Sequence, residues 1–373
     1  MITRFHSARI ILPDGLFDGY VFAENGRITA VTREALPCDR EIECGEDYLS
    51  PGFIDLHVHG GKGFDFGKCS AAEAAEAVAY HRAHGTTTLL PTLASAPMAE
   101  LSAAVERLIP LMEKDPHVAG MHLEGPYFAL SQCGAQNTDF ITDPIEEDYL
   151  PFLEKYSRYV RRWSYAPERD DGTFCDALIR FGVLPSAGHT DALGLDLRRA
   201  AEHGCRLTTH LFSCTSTITR EGGYRRTGVL EETLLNDDIT AEIITDGCHL
   251  PHDLIKLTYK IKGRERVALC SDALSAAGQD ITSGELNGVP FIVEDGVCRL
   301  TDRTAFCGSI ATGDRLVRTC VAAGISLTDS VYMAAATPAD LLGLPKGRIE
   351  VGKDADLIVF DENINVKAVY LGE

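Results

Sequence analysis

Eight short apolar runs punctuate the middle of the chain, each ending in polar or glycine-rich residues: 53–59, 86–93, 118–123, 160–165, 183–187, 206–212, 240–245 and 267–270. Continuous rather than alternating apolar character marks strands buried on both faces, as in parallel sheets. Between them lie stretches of helical composition at 71–84, 99–113, 175–181, 193–203 and 252–261. Gly85, Gly182, Gly204 and Gly263 follow four of these, where a left-handed residue closes a helix. Eight strands alternating with helices predict an α/β protein built as a (β/α)8 TIM-like barrel. An open doubly wound sheet is the alternative that the same alternation permits.

The two ends of the chain read differently. Residues 8–12, 20–23 and 27–31 are strand-like, with turns at Pro13-Asp14-Gly15 and Glu24-Asn25-Gly26, and 347–371 has the same character. Neither end buries a sheet by itself, so the two are expected to pair into a small β-sandwich domain, 1–50 with 346–373, around a barrel of 51–345. Residues 280–295 and 297–300 are β-like and should elaborate the barrel's mouth, and helices at 312–323 and 327–336 lead back to the small domain.

Composition narrows the function classes. The 373 residues carry a formal charge of -20, with no basic stripe, so neither nucleic acid nor an anionic membrane surface is an expected partner. A small anionic substrate remains compatible, because a few placed cations hold it locally. The N-terminal stretch lacks a signal-peptide apolar region and no long uncharged apolar run follows, which makes a cytoplasmic location the expectation. The 12 cysteines show no Cys-x-x-Cys spacing, and most read as small buried hydrophobes.

The chemistry collects at strand ends. Barrel enzymes work at the C-terminal edge of the sheet, and the predicted strands end there in His57 and His59, in Glu124, in His189, in His210, in Asp246-Gly247-Cys248-His249 and in Asp272. His57 and His59 are two apart, so strand alternation aims both imidazoles at one point. Several imidazoles with a carboxylate and an open position are a catalytic ligand set for a divalent metal. His122 is expected to turn away from Glu124 and to serve as a core or supporting histidine. His81, His84 and His203 sit at helix C-termini, where structural roles suffice.

The motifs PGFIDLHVHG (51–60), GTTTLLPTL (85–93), HLEGPYF (122–128), GHT (188–190), THLF (209–212), DGCH (246–249), SDAL (271–274) and GRIEVGKDADLIVFD (347–361) resemble the amidohydrolase superfamily. Within it they resemble the N-acetylglucosamine-6-phosphate deacetylase family, nearly end to end. The resemblance implies that Glu124, His189 and His210 hold a main metal and that His57 and His59 hold a second, with Glu124 bridging; some family members lack the His-x-His pair and use one metal. It further implies Asp272 as general base and then acid, His249 as a substrate contact, an amino sugar phosphate as substrate, and a homodimer. Zn, Fe, Co and Mn all suit imidazole and carboxylate ligands. The chemistry is coherent: a divalent cation activates water and relieves charge on the tetrahedral oxyanion, and a carboxylate that takes the water's proton can pass it to the leaving amine. The expected reaction is deacetylation of N-acetylglucosamine 6-phosphate to glucosamine 6-phosphate and acetate. Its alternatives are the galacto epimer, another amide, or a non-catalytic scaffold.

Two stretches depart from the family pattern. Gly134-Ala135-Gln136-Asn137-Thr138 carries Gln136 where the family usually has a histidine that contacts the substrate amide; Gln136 can still donate a hydrogen bond, without a charge, and is a substrate-binding candidate. Ser213-Cys214-Thr215 replaces an Asn-Ala-Met that helps bind the sugar phosphate, so Ser213 and Cys214 are substrate-binding candidates. The arginine that the family contributes across its dimer interface to hold phosphate has its nearest equivalents in Arg225 and Arg226.

Overall fold

The computed structural model describes residues 1–372. Eight parallel strands form the central sheet: β1 (Phe53–Val58), β2 (Thr86–Leu93), β3 (Met121–Glu124), β4 (Val160–Tyr165), β5 (Leu184–Ala187), β6 (Leu207–Thr208), β7 (Thr240–Ile244) and β8 (Val267–Cys270). Each strand pairs with the next in chain order, and a parallel bridge between Val58 and Ala273 brings the start of the sheet to its end. A doubly wound sheet reverses its strand order midway; this one never does, and it is a barrel. Every residue of β1 and β2 is buried, as their unbroken apolar character required.

The outer helices are α1 (Ala71–Ala83), α2 (Met98–Lys114), α3 (Glu146–Tyr156), α4 (Thr173–Arg180), α5 (Gly194–Glu202), α6 (Val229–Leu235), α7 (His252–Lys262), α8 (Gly313–Ala322) and α9 (Leu327–Leu342). Two of them, α3 and α6, were not foreseen. Helix α3 carries Pro151 inside it and α6 has only 7 residues, so neither offers a long uninterrupted apolar period. The sixth apolar run keeps sheet pairing only at Leu207–Thr208, because His210 (φ 30°) and Phe212 (φ 83°) turn left-handed and leave the ladder.

Both chain ends meet in one small sheet. Strands Ile2–Leu12, Gly15–Glu24, Arg27–Thr32, Arg40–Glu43 and Tyr48–Pro51 are joined by Leu357–Phe360 and Val366–Tyr370. The sandwich expected of these ends is, in its hydrogen bonding, a single 7-stranded sheet, with Leu357–Phe360 antiparallel to Tyr48–Pro51. Its own core includes Phe5, Ile10, Val21, Leu49 and Leu357. A polar joint ties it to the barrel: Lys346 Nζ donates to Asp356 at 2.6 Å and to Thr88 at 3.3 Å, while His117 Nε2 meets Asp356 at 2.9 Å.

The elaboration after β8 is a 4-stranded antiparallel sheet, Ser283–Leu286, Val289–Glu294, Val297–Leu300 and Phe306–Ser309. Its last strand, which the sequence did not suggest, is pinned to the barrel by a parallel bridge from Ser309 to Ala273. This places Leu286, Phe306 and Cys307 over the barrel's mouth.

Helix α6 owes its C-terminal end to a buried cation. Lys262 Nζ donates to the carbonyls of Thr233 (2.7 Å) and Asn236 (2.6 Å), and burial pulls its pKa down to about 8. A base whose folded pKa lies below its unfolded value of about 10.4 costs the fold least once it is neutral. The unfolded chain therefore holds more protons between these two values, and this group's contribution to stability rises with pH across that window. Lys262→Met should cost about 1–3 kcal/mol at pH 7 by leaving the Thr233 and Asn236 carbonyls unpaired. Denaturation at pH 7 and at higher pH should also show that the variant has lost the increment that wild type gains; parallel pH curves would refute the assignment.

Candidate metal centre and active-site pocket

Glu124 is the last residue of β3, while His189, His210 and Asp272 sit just past β5, β6 and β8. These last three have left-handed backbones (φ 48°, 30° and 50°), a conformation that costs a non-glycine residue energy and clusters at functional sites. The turn carries each side chain over the barrel's mouth. Glu124 Oε1 lies 3.0 Å from both His189 Nε2 and His210 Nε2, and these two nitrogens are 3.2 Å apart. On the other side of the same carboxylate, His57 Nε2 and His59 Nε2 are 3.2 Å apart, and His59 Nε2 lies 3.2 Å from Glu124 Oε2. Asp272 Oδ1 stands 3.4 Å from His57 Nε2 and 3.3 Å from His59 Nε2. Two buried triads, Glu124-His189-His210 and His57-His59-Glu124, thus share one glutamate.

Backbone carbonyls set the ring orientations. His189 Nδ1 donates to Gln132 O at 2.9 Å and His210 Nδ1 to Ser213 O at 3.1 Å. A proton held at Nδ1 leaves the Nε2 lone pair facing inward, which is how protein structures prepare imidazole for a metal. The electrostatics point the same way. Burial opposes charging His57, but the Glu124 and Asp272 carboxylates outweigh it and push its pKa up to about 10. Burial likewise opposes ionising Glu124, yet the charge of His57 and hydrogen bonds from His189 and His210 hold its carboxyl well below the usual range. The Nε2 atoms of His189 and His210 turned toward an ionised, buried carboxylate, in a field that already draws a proton onto His57, favour a cation, so the donor set fits a divalent metal.

A cavity of about 290 Å³ opens above this cluster. His59, Glu124, Gln136, His189, His210, Ser213, Cys214, His249 and Asp272 all line it, with His57 beneath. His249 Nδ1 donates to Asp246 Oδ2 at 2.9 Å, and its ring lies 4.9 Å from that of Phe306. Arg225 is elsewhere. It sits on an exposed hairpin, Thr219–Glu221 with Tyr224–Arg226, and does not line the cavity. No lysine or arginine is among the lining residues.

The expectation for His122 is corrected. It stands two residues before Glu124, so both side chains share a side of β3, and His122 packs edge-on against His57 (4.7 Å) inside the barrel. It remains a supporting group, bonded to Ser164 Oγ (2.7 Å) and Thr92 Oγ1 (3.2 Å); burial and the Arg162 charge hold its pKa well below the ordinary value.

Beneath the cluster lies a pair that sequence reasoning passed over. Arg162 Nη1 and Nη2 donate to Glu242 Oε2 (2.5 Å) and Oε1 (2.8 Å), both side chains fully buried. Glu242 Oε1 also accepts from the His210 backbone N–H (3.2 Å) and faces His57 Nδ1 (3.4 Å). The available signal was charge inside two buried strand runs, Arg161-Arg162 in 160–165 and Glu242 in 240–245.

The amidohydrolase family's sequence profile matches residues 48–372. The N-acetylglucosamine-6-phosphate deacetylase of Bacillus subtilis (strain 168) is 30% identical over 367 residues, spanning 94% of this chain and 90% of that protein. The chain belongs to the amidohydrolase family, in its N-acetylglucosamine-6-phosphate deacetylase branch. It is therefore a hydrolase, and the metal dependence of the amidohydrolase superfamily accords with the two triads. An N-acetylgalactosamine-6-phosphate deacetylase of Shewanella sp. (strain ANA-3) is 28% identical over 327 residues, covering 87% of this chain and 82% of its own. A Mycobacterium smegmatis N-acetyl-D-glucosamine-6-phosphate deacetylase mutant, solved in complex with N-acetyl-D-glucosamine-6-phosphate, superposes with a TM-score of 0.93 at 31% identity. It covers 100% of this amidohydrolase and 98% of the other chain.

Proposed function

We propose that this amidohydrolase removes the N-acetyl group of an amino sugar 6-phosphate, converting N-acetylglucosamine 6-phosphate to glucosamine 6-phosphate and acetate. The observation that carries the reading is the sharing of Glu124 by two histidine pairs, every one of whose Nε2 atoms lies within 3.5 Å of its carboxylate, with Asp272 facing the second pair. Glu124, His189 and His210 would hold one divalent metal (Zn, Fe, Co or Mn), and His57 and His59 with Glu124 would hold a second. When bound, the metal supplies Lewis acidity that makes water nucleophilic at neutral pH and offsets the oxyanion's charge. Asp272 takes the proton of the attacking water and returns it to the amine as the C–N bond breaks. His249, oriented by Asp246, and the Ser213-Cys214 turn contact the sugar.

The phosphate needs a cation that the cavity lining does not provide. Arg225 projects from an exposed hairpin, which supports its delivery to a partner subunit's pocket in a homodimer. No helix among the described residues is long and apolar enough to cross a membrane. The Shewanella relative supports a second reading, the galacto epimer as substrate.

Acetate release from a panel of N-acetyl amino sugars, with and without the 6-phosphate, tests the assignment. The phosphorylated gluco sugar should be the best substrate, and Arg225→Ala should raise its KM while sparing kcat. Equal turnover of phosphorylated and free sugars would overturn the phosphate claim, and higher kcat/KM for the galacto sugar would decide for the second reading.

A further inference from the structure

Gln136 stands at the position where the family usually carries a substrate-contacting histidine, but both ends of its buried side chain are already engaged. Its Oε1 accepts from the Ser95 backbone N–H at 2.8 Å, and its Nε2 donates to Glu124 Oε2 at 2.6 Å. Accepting from an N–H fixes which end of the amide is oxygen, so the NH2 end must face the carboxylate. Ser95 adds a second tie, its Oγ donating to the Glu124 carbonyl at 3.2 Å. The chain of bonds continues outward. Asn287 Nδ2 donates to the carbonyls of Ser95 (3.0 Å) and Ala94 (3.3 Å), and Asn137 Nδ2 donates to Asn287 O (3.2 Å). Asn287 lies in the first turn of the 4-stranded sheet, next to the pocket-wall residue Leu286.

We propose that Gln136 is a positioning residue for the metal centre, in place of a substrate contact. It fixes the rotation of the Glu124 carboxylate so that Oε1 faces His189 and His210 while Oε2 faces His59, and the Asn287–Ser95 relay ties that rotation to the pocket wall. The proposal rests on the metal-centre reading given above. Both triads depend on this one carboxylate, so its orientation decides whether the two cation positions exist together. A neutral amide suits the task. It donates to Oε2 without adding a positive charge that would compete with a cation there, and it leaves Oε2 a second lone pair for a ligand bond. Groups that orient a metal ligand in this way are typically worth about 10- to 100-fold in metal affinity or activity.

The test compares wild type with Gln136→Met, which keeps length and loses both hydrogen bonds. Zinc is the probe, and its retention against graded chelator is measured alongside kcat and KM on N-acetylglucosamine 6-phosphate at saturating zinc. The expected result is zinc affinity lowered by about 10- to 100-fold, with KM nearly unchanged once zinc is restored. Unaltered zinc retention with a raised KM would overturn the proposal and return Gln136 to substrate binding. Should Gln136→Met fail to fold, Asn287→Ala probes the relay from outside the cavity lining: a smaller loss of zinc affinity is expected, and unchanged retention overturns the relay. Wild-type protein that holds no zinc, manganese, cobalt or iron would overturn the metal-centre reading itself, an outcome separate from the first two.

Discussion

Asp272→Asn should keep its metal and its fold while kcat falls by about 10²- to 10⁴-fold, the range that a positioned general base and acid supplies. The backbone that presents the carboxylate has little freedom. Asp272 N–H donates to His57 O at 2.9 Å, Ser309 N–H donates to Asp272 O at 2.7 Å, and the residue is 7% exposed with a left-handed φ of 50°. Asparagine reproduces the shape and tolerates that backbone better than most residues, so the substitution removes proton affinity and little else. Bound metal and turnover, measured on the same sample, separate the roles. Metal retained with turnover lost identifies a proton-transfer group; metal and turnover lost together would make Asp272 a ligand. Near-normal turnover would sink both.

Arg162→Met should destabilise the protein by about 3–5 kcal/mol, because it strands a buried carboxylate without its cation. Burial alone would push Glu242 up, and the Arg162 charge is the largest influence holding it well below the usual carboxylate range. Arg162 also donates to Leu56 O (3.1 Å), Thr209 Oγ1 (3.0 Å) and Ser186 Oγ (3.2 Å), so one guanidinium links three strands and the strand-six turn at the barrel's axis. The double variant Arg162→Met with Glu242→Met should recover most of the loss, since apolar replacement of a whole buried ion pair is often close to neutral. Thermal unfolding of the two single variants and the double variant completes the cycle. Equal loss in single and double variants would mean that packing, not charge, is what Arg162 provides.

The barrel was legible because parallel strands are buried on both faces and so leave unbroken apolar runs, as at 53–58 and 86–93. It was less legible where strand character gives way to function. The sixth run looks like a strand through Phe212, but His210 and Phe212 leave the ladder to aim a side chain inward. Helix α6 is too short for periodicity to register, and its end depends on Lys262, distant in sequence. The positions of His57, His59, Glu124, His189, His210 and Asp272 at strand ends were readable because the fold sends that edge to one place. The Arg162–Glu242 pair was not, because a charge within an apolar run looks the same whether it faces solvent or a partner across the barrel. Nor was the engagement of Gln136, whose partner Ser95, and Asn287 behind it, lie far from it in the sequence.

The small sheet imposes an order in time. Tyr48–Pro51 finds its antiparallel neighbour only in Leu357–Phe360. A chain emerging from the ribosome thus carries an unfinished sheet edge through the synthesis of all eight barrel strands, and such edges invite pairing with other chains. The barrel's first strand begins right after Pro51, so a sheet begun before the barrel is completed only after it. Shortened chains that stop before residue 357 should aggregate through this edge even where the barrel itself has closed.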